Sequence, residues 1–268
     1  MSDCHVHSTF SGDAESSMED MILKAIDKGL QVITFTDHCD MDFPYKEGEE
    51  GLFDLNTDSY LYDILRFREK YGDKIEVGFG VEIGMQTSCA DKNTDYVREH
   101  DFDFVIASLH LVDGYDPYYP EYYEGKTEKE AYGRYFELLL ENIRLFNDYD
   151  VVGHLDYIVR YGKDKDANYR YEDYKDVIDE ILKEVIAGKK GLEVNTAGLR
   201  KGTKDVHPTY EILKRYKELG GEIITIGSDA HRTDNIAADF DSALKVLKEV
   251  GFEYYCIYRK RQPLVVKL

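Results

Sequence analysis

Short runs rich in Val, Ile and Phe alternate along this chain with longer segments whose apolar residues recur at helical spacing. The short runs predict strands at 4–8, 31–36, 76–82, 102–109, 151–155, 191–195 and 222–227. Between the first two strands, Met18, Met21, Ile22, Ala25 and Ile26 form one apolar stripe over 18–28, with Ser16 or Ser17 available as the cap and Gly29 as the stop. Similar helices are expected at 58–71, 93–99, 128–147, 171–187, 208–219 and 235–250, with Gly72, Gly188, Gly220 and Gly251 as stop signals. The repeat is a βα unit, which favours a parallel sheet or barrel. The tail 252–258 reads as one more strand, followed by Arg259, Lys260 and Arg261, and the pattern gives it no place.

A chain of 268 residues fits one large domain, 1–268, better than two, because α/β barrels reach this length around a single core. Two polar connections are long, 39–57 and 111–127, and loops of such length in a compact domain usually serve function. The second carries Tyr115, Tyr118, Tyr119, Tyr122 and Tyr123 among acidic residues. These rings suit a substrate lid or, equally, a loop that packs its own aromatics.

Composition narrows the function classes. No apolar run approaches the roughly 20 residues of a membrane span, and the start of the chain lacks the features of a secretory signal, so a cytoplasmic protein is expected. Cys4, Cys39, Cys89 and Cys256 are scattered without a CxxC pair, which points to reduced thiols. With 54 acidic against 34 basic residues the net charge is -20, which repels extended nucleic acid. A small phosphorylated substrate requires a local concentration of positive charge, and bound divalent cations would supply it.

The candidate chemistry lies at the predicted strand ends. His5 and His7 are two apart on a strand and so share a face. His38 follows Thr36-Asp37, Glu82 follows Gly80-Val81, His110 follows Ser108-Leu109, His154 follows Val152-Gly153, and Asp229 and His231 follow Gly227-Ser228. In a parallel barrel all C-terminal strand ends open at one mouth, so these residues converge. Windows at the strand ends cover roughly a tenth of the chain, yet they hold all its histidines except His100 and His207, which are expected at the surface or as helix caps. Mixed imidazole and carboxylate ligands suit zinc, iron or manganese. A carboxylate such as Glu82 can bridge two ions, and a hydroxide between them is then the natural nucleophile.

Asp3-Cys4-His5-Val6-His7-Ser8, Thr36-Asp37-His38, Gly80-Val81-Glu82, Ser108-Leu109-His110, Gly153-His154-Leu155-Asp156 and Gly227-Ser228-Asp229-Ala230-His231 together resemble the PHP (polymerase and histidinol phosphatase) superfamily over nearly the whole chain. The resemblance implies a distorted (β/α)7 TIM-like barrel with a metal site at the C-terminal ends of its strands, and three divalent ions. One would take His5, His7, Glu82 and Asp229. A second would share Glu82 and add His110 and His154. The third would take Asp13, His38 and His231, with Glu15 as the competitor to Asp13. Catalytic roles are implied for Glu82, Asp229 and His231.

The stretches 154–160 and 193–200 resemble the monofunctional histidinol-phosphatases and make Arg160 and Arg200 the expected phosphate clamp. The implied reaction is hydrolysis of L-histidinol phosphate by in-line attack of the bridging hydroxide. Its general acid is left open, His207 being a remote candidate. The acidic Tyr-rich loop 113–124 is expected to meet the amine and imidazole of the substrate. The alternatives are a PHP phosphoesterase for another small phosphate ester or nucleotide, and a catalytically silent metal-binding module.

Overall fold

The strands carry near-continuous apolar runs because almost every residue in them is buried, as in parallel sheets covered on both faces. The computed structural model describes residues 1–268. In chain order the strands are β1 (Ser2–Val6), β2 (Val32–Phe35), the short β3 (His38–Cys39), β4 (Glu76–Gly84), β5 (Phe104–Ser108), β6 (Val151–Val152), β7 (Gly191–Asn195) and β8 (Ile224–Gly227). All pair in parallel in the order β1-β2-β4-β5-β6-β7-β8, and β3 continues the line of β2 by pairing with the far end of β4.

The ring closes between β8 and β1 at the C-terminal ends, where the Asp229 N–H donates to His5 O at 2.8 Å and the His7 N–H to Ala230 O at 2.9 Å. This is the distorted barrel that the resemblance implies, and its seven-strand ring agrees with the number of strands read from the pattern. The tail forms an antiparallel hairpin, β9 (Tyr254–Arg259) and β10 (Gln262–Lys267), with β9 packed against β8.

The helices between strands are α1 (Met18–Asp27), α2 (Thr57–Tyr71), α3 (Ala90–Glu99), α4 (Glu128–Leu145), α5 (Lys175–Ala187), the single-turn α6 (Ala197–Arg200), α7 (Tyr210–Glu218) and α8 (Phe240–Val250). Ser17, rather than Ser16, caps α1 by accepting from the Asp20 N–H, and the helix buries Met18, Met21, Ile22 and Ala25. Thr127 and Glu130 close a capping box on α4.

Boundaries shift where local geometry competes with the periodic pattern. Strand β6 is shorter than expected because the chain leaves it at Gly153 and turns through His154 at φ 20°. Helix α8 begins at Phe240, later than expected, since residues 233–235 form a 3-10 turn and Ala237 and Asp239 take positive φ. No helix is long and apolar enough to cross a membrane. The long connections after β3 and β5 meet, with Lys46 Nζ 3.2 Å from the centre of the Tyr119 ring.

Candidate metal centre and active site

At the C-terminal mouth of the barrel, the ends of β1, β3, β4, β5, β6 and β8 deliver ligand-type side chains to one point, and Glu82 stands at its centre. It is fully buried on β4. Its Oε2 lies 3.2 Å from His5 Nε2, 3.4 Å from His7 Nε2 and 3.1 Å from His38 Nδ1. Its Oε1 lies 3.3 Å from His110 Nε2 and 3.0 Å from His154 Nε2, and accepts from Ser108 Oγ at 2.6 Å. One carboxylate thus faces five imidazoles.

The surrounding residues fall into overlapping groups. His5, His7 and Asp229 form one, with Asp229 Oδ1 3.8 and 3.6 Å from the two Nε2 atoms. Glu82, His110 and His154 form another, and His7, His38 and His231 a third, each with ligand atoms within 4.8 Å of one another. Asp13 Oδ2 reaches the third group, 3.1 Å from His231 Nε2 and 3.7 Å from His38 Nε2. Glu15 turns outward to Arg232 Nη2 at 3.7 Å. The structure therefore brings Asp13, and not Glu15, against the histidines.

The donor chemistry fits divalent ions on an observation independent of resemblance. His38 Nδ1, His154 Nδ1, Glu82 Oε2 and Asp40 Oδ1 are buried without a hydrogen-bond partner in the protein, an expensive arrangement unless cations share the site. Burial opposes protonation of these imidazoles, and at His7 and His154 it prevails. At His5, burial is outweighed by Glu193, Glu82 and Asp229, and at His38 by Asp13 and Glu82. Burial is likewise overcome at His110, where Asp40 and Glu82 push the ring up to about 10. Against their own burial, Glu82 and Asp229 are held well below the usual carboxylate range, by His5 above all. Ions entering this cluster displace protons from the same atoms.

Several residues that hold the cluster escape sequence reasoning. Asp40 Oδ2 lies 2.7 Å from His110 Nδ1 and orients that ring. It stands two residues after His38, and that spacing on an extended segment is the one signal that could have found it. Glu193 Oε1 lies 2.5 Å from His5 Nδ1 while its Oε2 accepts from the His154 N–H at 2.9 Å. Gly227 is required beside it, because a Cβ there would run into both Glu193 and His5. Asp37 accepts from Ser8 and Ser11 and so fixes the turn after His7.

The two arginines flank the cluster. Arg160 is 4% exposed, with Nη1 donating to Asp229 Oδ2 at 3.1 Å and Nη2 to Asn195 Oδ1 at 2.8 Å. Arg200 is less buried and donates to Thr196 Oγ1 at 3.4 Å and to the Ser228 carbonyl. Both line a cavity of about 770 Å³ together with Asp13, Glu82, His154 and Asp229. Of the Tyr-rich loop, Tyr118 and Tyr119 reach the cavity, whereas Tyr122 is buried in the core and Tyr123 packs against it.

His100 caps α3, its Nδ1 2.8 Å from Tyr96 O. His207 is neither at the surface nor a cap: it is 1% exposed, with Nδ1 2.5 Å from Asp156 Oδ1. The expectation for this residue is corrected, because a buried carboxylate absent from the local pattern draws the ring inward. His207 also does not line the cavity, which sets its ring apart from the place where a leaving group would be protonated.

The chemistry this arrangement admits is hydrolysis of a phosphate ester assisted by divalent ions, and the class is that of metal-dependent phosphatases. The chain belongs to the PHP domain family, whose model matches residues 3–197. A probable histidinol-phosphatase of Clostridium acetobutylicum is 36% identical over 257 residues, covering 94% of this chain and 96% of that protein. The histidinol-phosphatase of Lactococcus lactis subsp. lactis is 33% identical over 251 residues, covering 93% and 91%. A crystal structure of the histidinol phosphate phosphatase of that bacterium, complexed with zinc, L-histidinol and phosphate, superposes with a TM-score of 0.88 at 29% identity over 98% of both chains.

Proposed function

We propose that this chain, as one catalytic unit spanning 1–268, hydrolyses L-histidinol phosphate to L-histidinol and phosphate. The observation that carries the reading is the single cavity in which the imidazole and carboxylate cluster faces Arg160 and Arg200. His5, His7, Glu82 and Asp229 would hold one divalent ion, Glu82, His110 and His154 a second, and Asp13, His38 and His231 a third. Zinc, iron and manganese all suit these donors. Bound ions supply a water acidic enough to lose its proton near neutral pH and positive charge for the phosphoryl oxygens. A cytoplasmic setting belongs to the same proposal.

The protein's own groups do the rest. Arg160 and Arg200 hold the phosphoryl oxygens with planar forks of N–H donors. Asp229 anchors Arg160 through Oδ2 and faces His5 and His7 through Oδ1. Asp229 thereby ties the ion site to the phosphate clamp. The water oxygen bonds to phosphorus with loss of its proton to solvent, the ester P–O bond breaks, and the departing alkoxide takes a proton from solvent to become histidinol. Phe43, Phe53, Tyr118, Tyr157 and Tyr161 give the cavity aromatic walls for an imidazole, and Asp116 adds a half-buried carboxylate for the amine.

The direct experiment is phosphate release from a panel of small phosphate esters, nucleotides and L-histidinol phosphate by the metal-loaded protein. L-histidinol phosphate should give the highest kcat/KM, and a preference for any other ester, or no turnover at all, overturns the reading. Asp116→Asn should raise KM for L-histidinol phosphate by about tenfold, the cost of losing one charged hydrogen bond. It should leave hydrolysis of p-nitrophenyl phosphate, which has no amine, nearly unchanged. Equal losses on both substrates would remove Asp116 from substrate recognition.

A further inference from the structure

Buried polar groups outside the ion-binding cluster concentrate beneath the two arginines, and His207 is at their centre. Its Nδ1 lies 2.5 Å from Asp156 Oδ1. A carboxylate oxygen accepts, so the hydrogen of this bond lies on Nδ1. Asp156 Oδ2 accepts from the Thr209 N–H at 3.0 Å. This fully buried carboxylate is therefore held on both oxygens by the segment 207–209. Asp156 stands immediately before the 3-10 turn Tyr157–Arg160, so fixing its carboxylate fixes where the turn begins.

The main chain of His207 reaches the same arginine from the other side. His207 and Asn195 exchange both backbone hydrogen bonds, at 2.7 and 2.9 Å. Asn195 Oδ1 accepts from Arg160 Nη2 at 2.8 Å and from the Ala197 N–H, the first residue of α6, at 2.9 Å. Helix α6 ends in Arg200. The edge of the His207 ring covers Gly198 in that helix, where a Cβ would collide with it. Only a bare Cα lets the ring pack this closely against the turn that carries Arg200.

From this convergence we propose that His207 is a positioning residue for the phosphate-binding arginines, acting through Asp156 on the turn of Arg160 and through Asn195 and Gly198 on the turn of Arg200. The proposal rests on the reading of Arg160 and Arg200 as phosphate ligands. His207 touches neither the cavity nor the ion cluster, so its effect is on the geometry of the clamp. Since Asn195 Nδ2 also donates to Glu193 at 3.1 Å, the clamp and the support of His5 share one hydrogen-bonded frame.

The test uses the metal-loaded enzyme with inorganic phosphate as competitive inhibitor. His207→Leu keeps bulk and removes the ring N–H, and should weaken phosphate inhibition by about tenfold, the worth of a hydrogen bond to a charged group. Metal content should stay unchanged. His207→Asn, which retains a side-chain N–H near the Nδ1 position, should restore inhibition to within about twofold of the parent. A double-mutant cycle separates positioning from mere fold stabilisation. In an Arg160→Met background, His207→Leu should shift the inhibition constant by clearly less than in the parent, since only the route to Arg200 remains, although any fall in Tm persists in full.

An unchanged inhibition constant in His207→Leu, or the same shift in both backgrounds, overturns the proposal. Should His207→Leu fail to fold, Asp156→Asn carries the same expectations and the same overturning results. If Arg160→Met itself leaves phosphate inhibition untouched, the arginine reading falls. If Arg160→Met weakens inhibition while His207→Leu and Asp156→Asn do not, the positioning role alone falls.

Discussion

Glu82→Gln should yield a folded protein that has lost bound metal and at least on the order of a thousandfold in kcat/KM. The change removes one charge and almost no volume, so the effect is electrostatic. Glu82 is the only carboxylate within 3.4 Å of His5, His7, His38, His110 and His154 together. Burial disfavours its charge, yet His5, His110 and His38 hold it well below the usual carboxylate range. An amide offers a single acceptor oxygen and no charge, leaving buried cationic groups uncompensated and no atom pair able to join two ions. Elemental analysis of the purified variant beside its turnover is the measurement, with circular dichroism to establish folding. A fully metallated, active Glu82→Gln protein would remove the bridging role.

Much of this site was legible because hydrophobic periodicity locates strands without reference to histidines, and a parallel barrel brings all strand ends to one mouth. His5, His7, His38, Glu82, His110, His154, Asp229 and His231 share that logic, and the structure gathers all of them. Asp13 stood in competition with Glu15, since the loop 9–17 has no period to aim either. Its position against His231 and His38 arises from long-range contacts.

The supports were hidden for a related reason. Glu193 orients His5 across 188 positions and Asp40 orients His110 across 70, and one sequence contains no record of such pairings. His207 was expected at the surface or as a cap because it lies outside the strand ends, beside the predicted helix 208–219. Nothing nearby announces the Asp156 carboxylate 51 positions away that buries it. The tail was read as a strand without a place, since its packing against β8 is a tertiary fact. The Tyr-rich loop divides, with Tyr118 and Tyr119 at the cavity and Tyr122 in the core.

Arg160→Met should lower kcat/KM for L-histidinol phosphate on the order of a hundredfold or more and weaken phosphate inhibition, while metal content stays near that of the parent. The guanidinium is almost entirely buried, yet its charge is held firmly: burial opposes it, and Asp229 outweighs burial. Two of its N–H groups are committed to Asp229 and Asn195, and Nε is buried without a protein partner. A residue held this rigidly at a cavity wall loses little entropy when an anion arrives, so more of each contact appears as binding. Arg160→Lys should recover little, because a single ammonium cannot span Asp229, Asn195 and a phosphoryl oxygen with the geometry of the fork. Asp229 loses a partner in both variants, but bound cations would still balance its charge, which is why metal content separates this loss from that of Glu82→Gln. Steady-state kinetics, phosphate inhibition and elemental analysis on the three proteins decide the matter. A kcat/KM within about threefold of the parent in Arg160→Met, less than 1 kcal/mol of transition-state binding, would exclude Arg160 from the phosphate site.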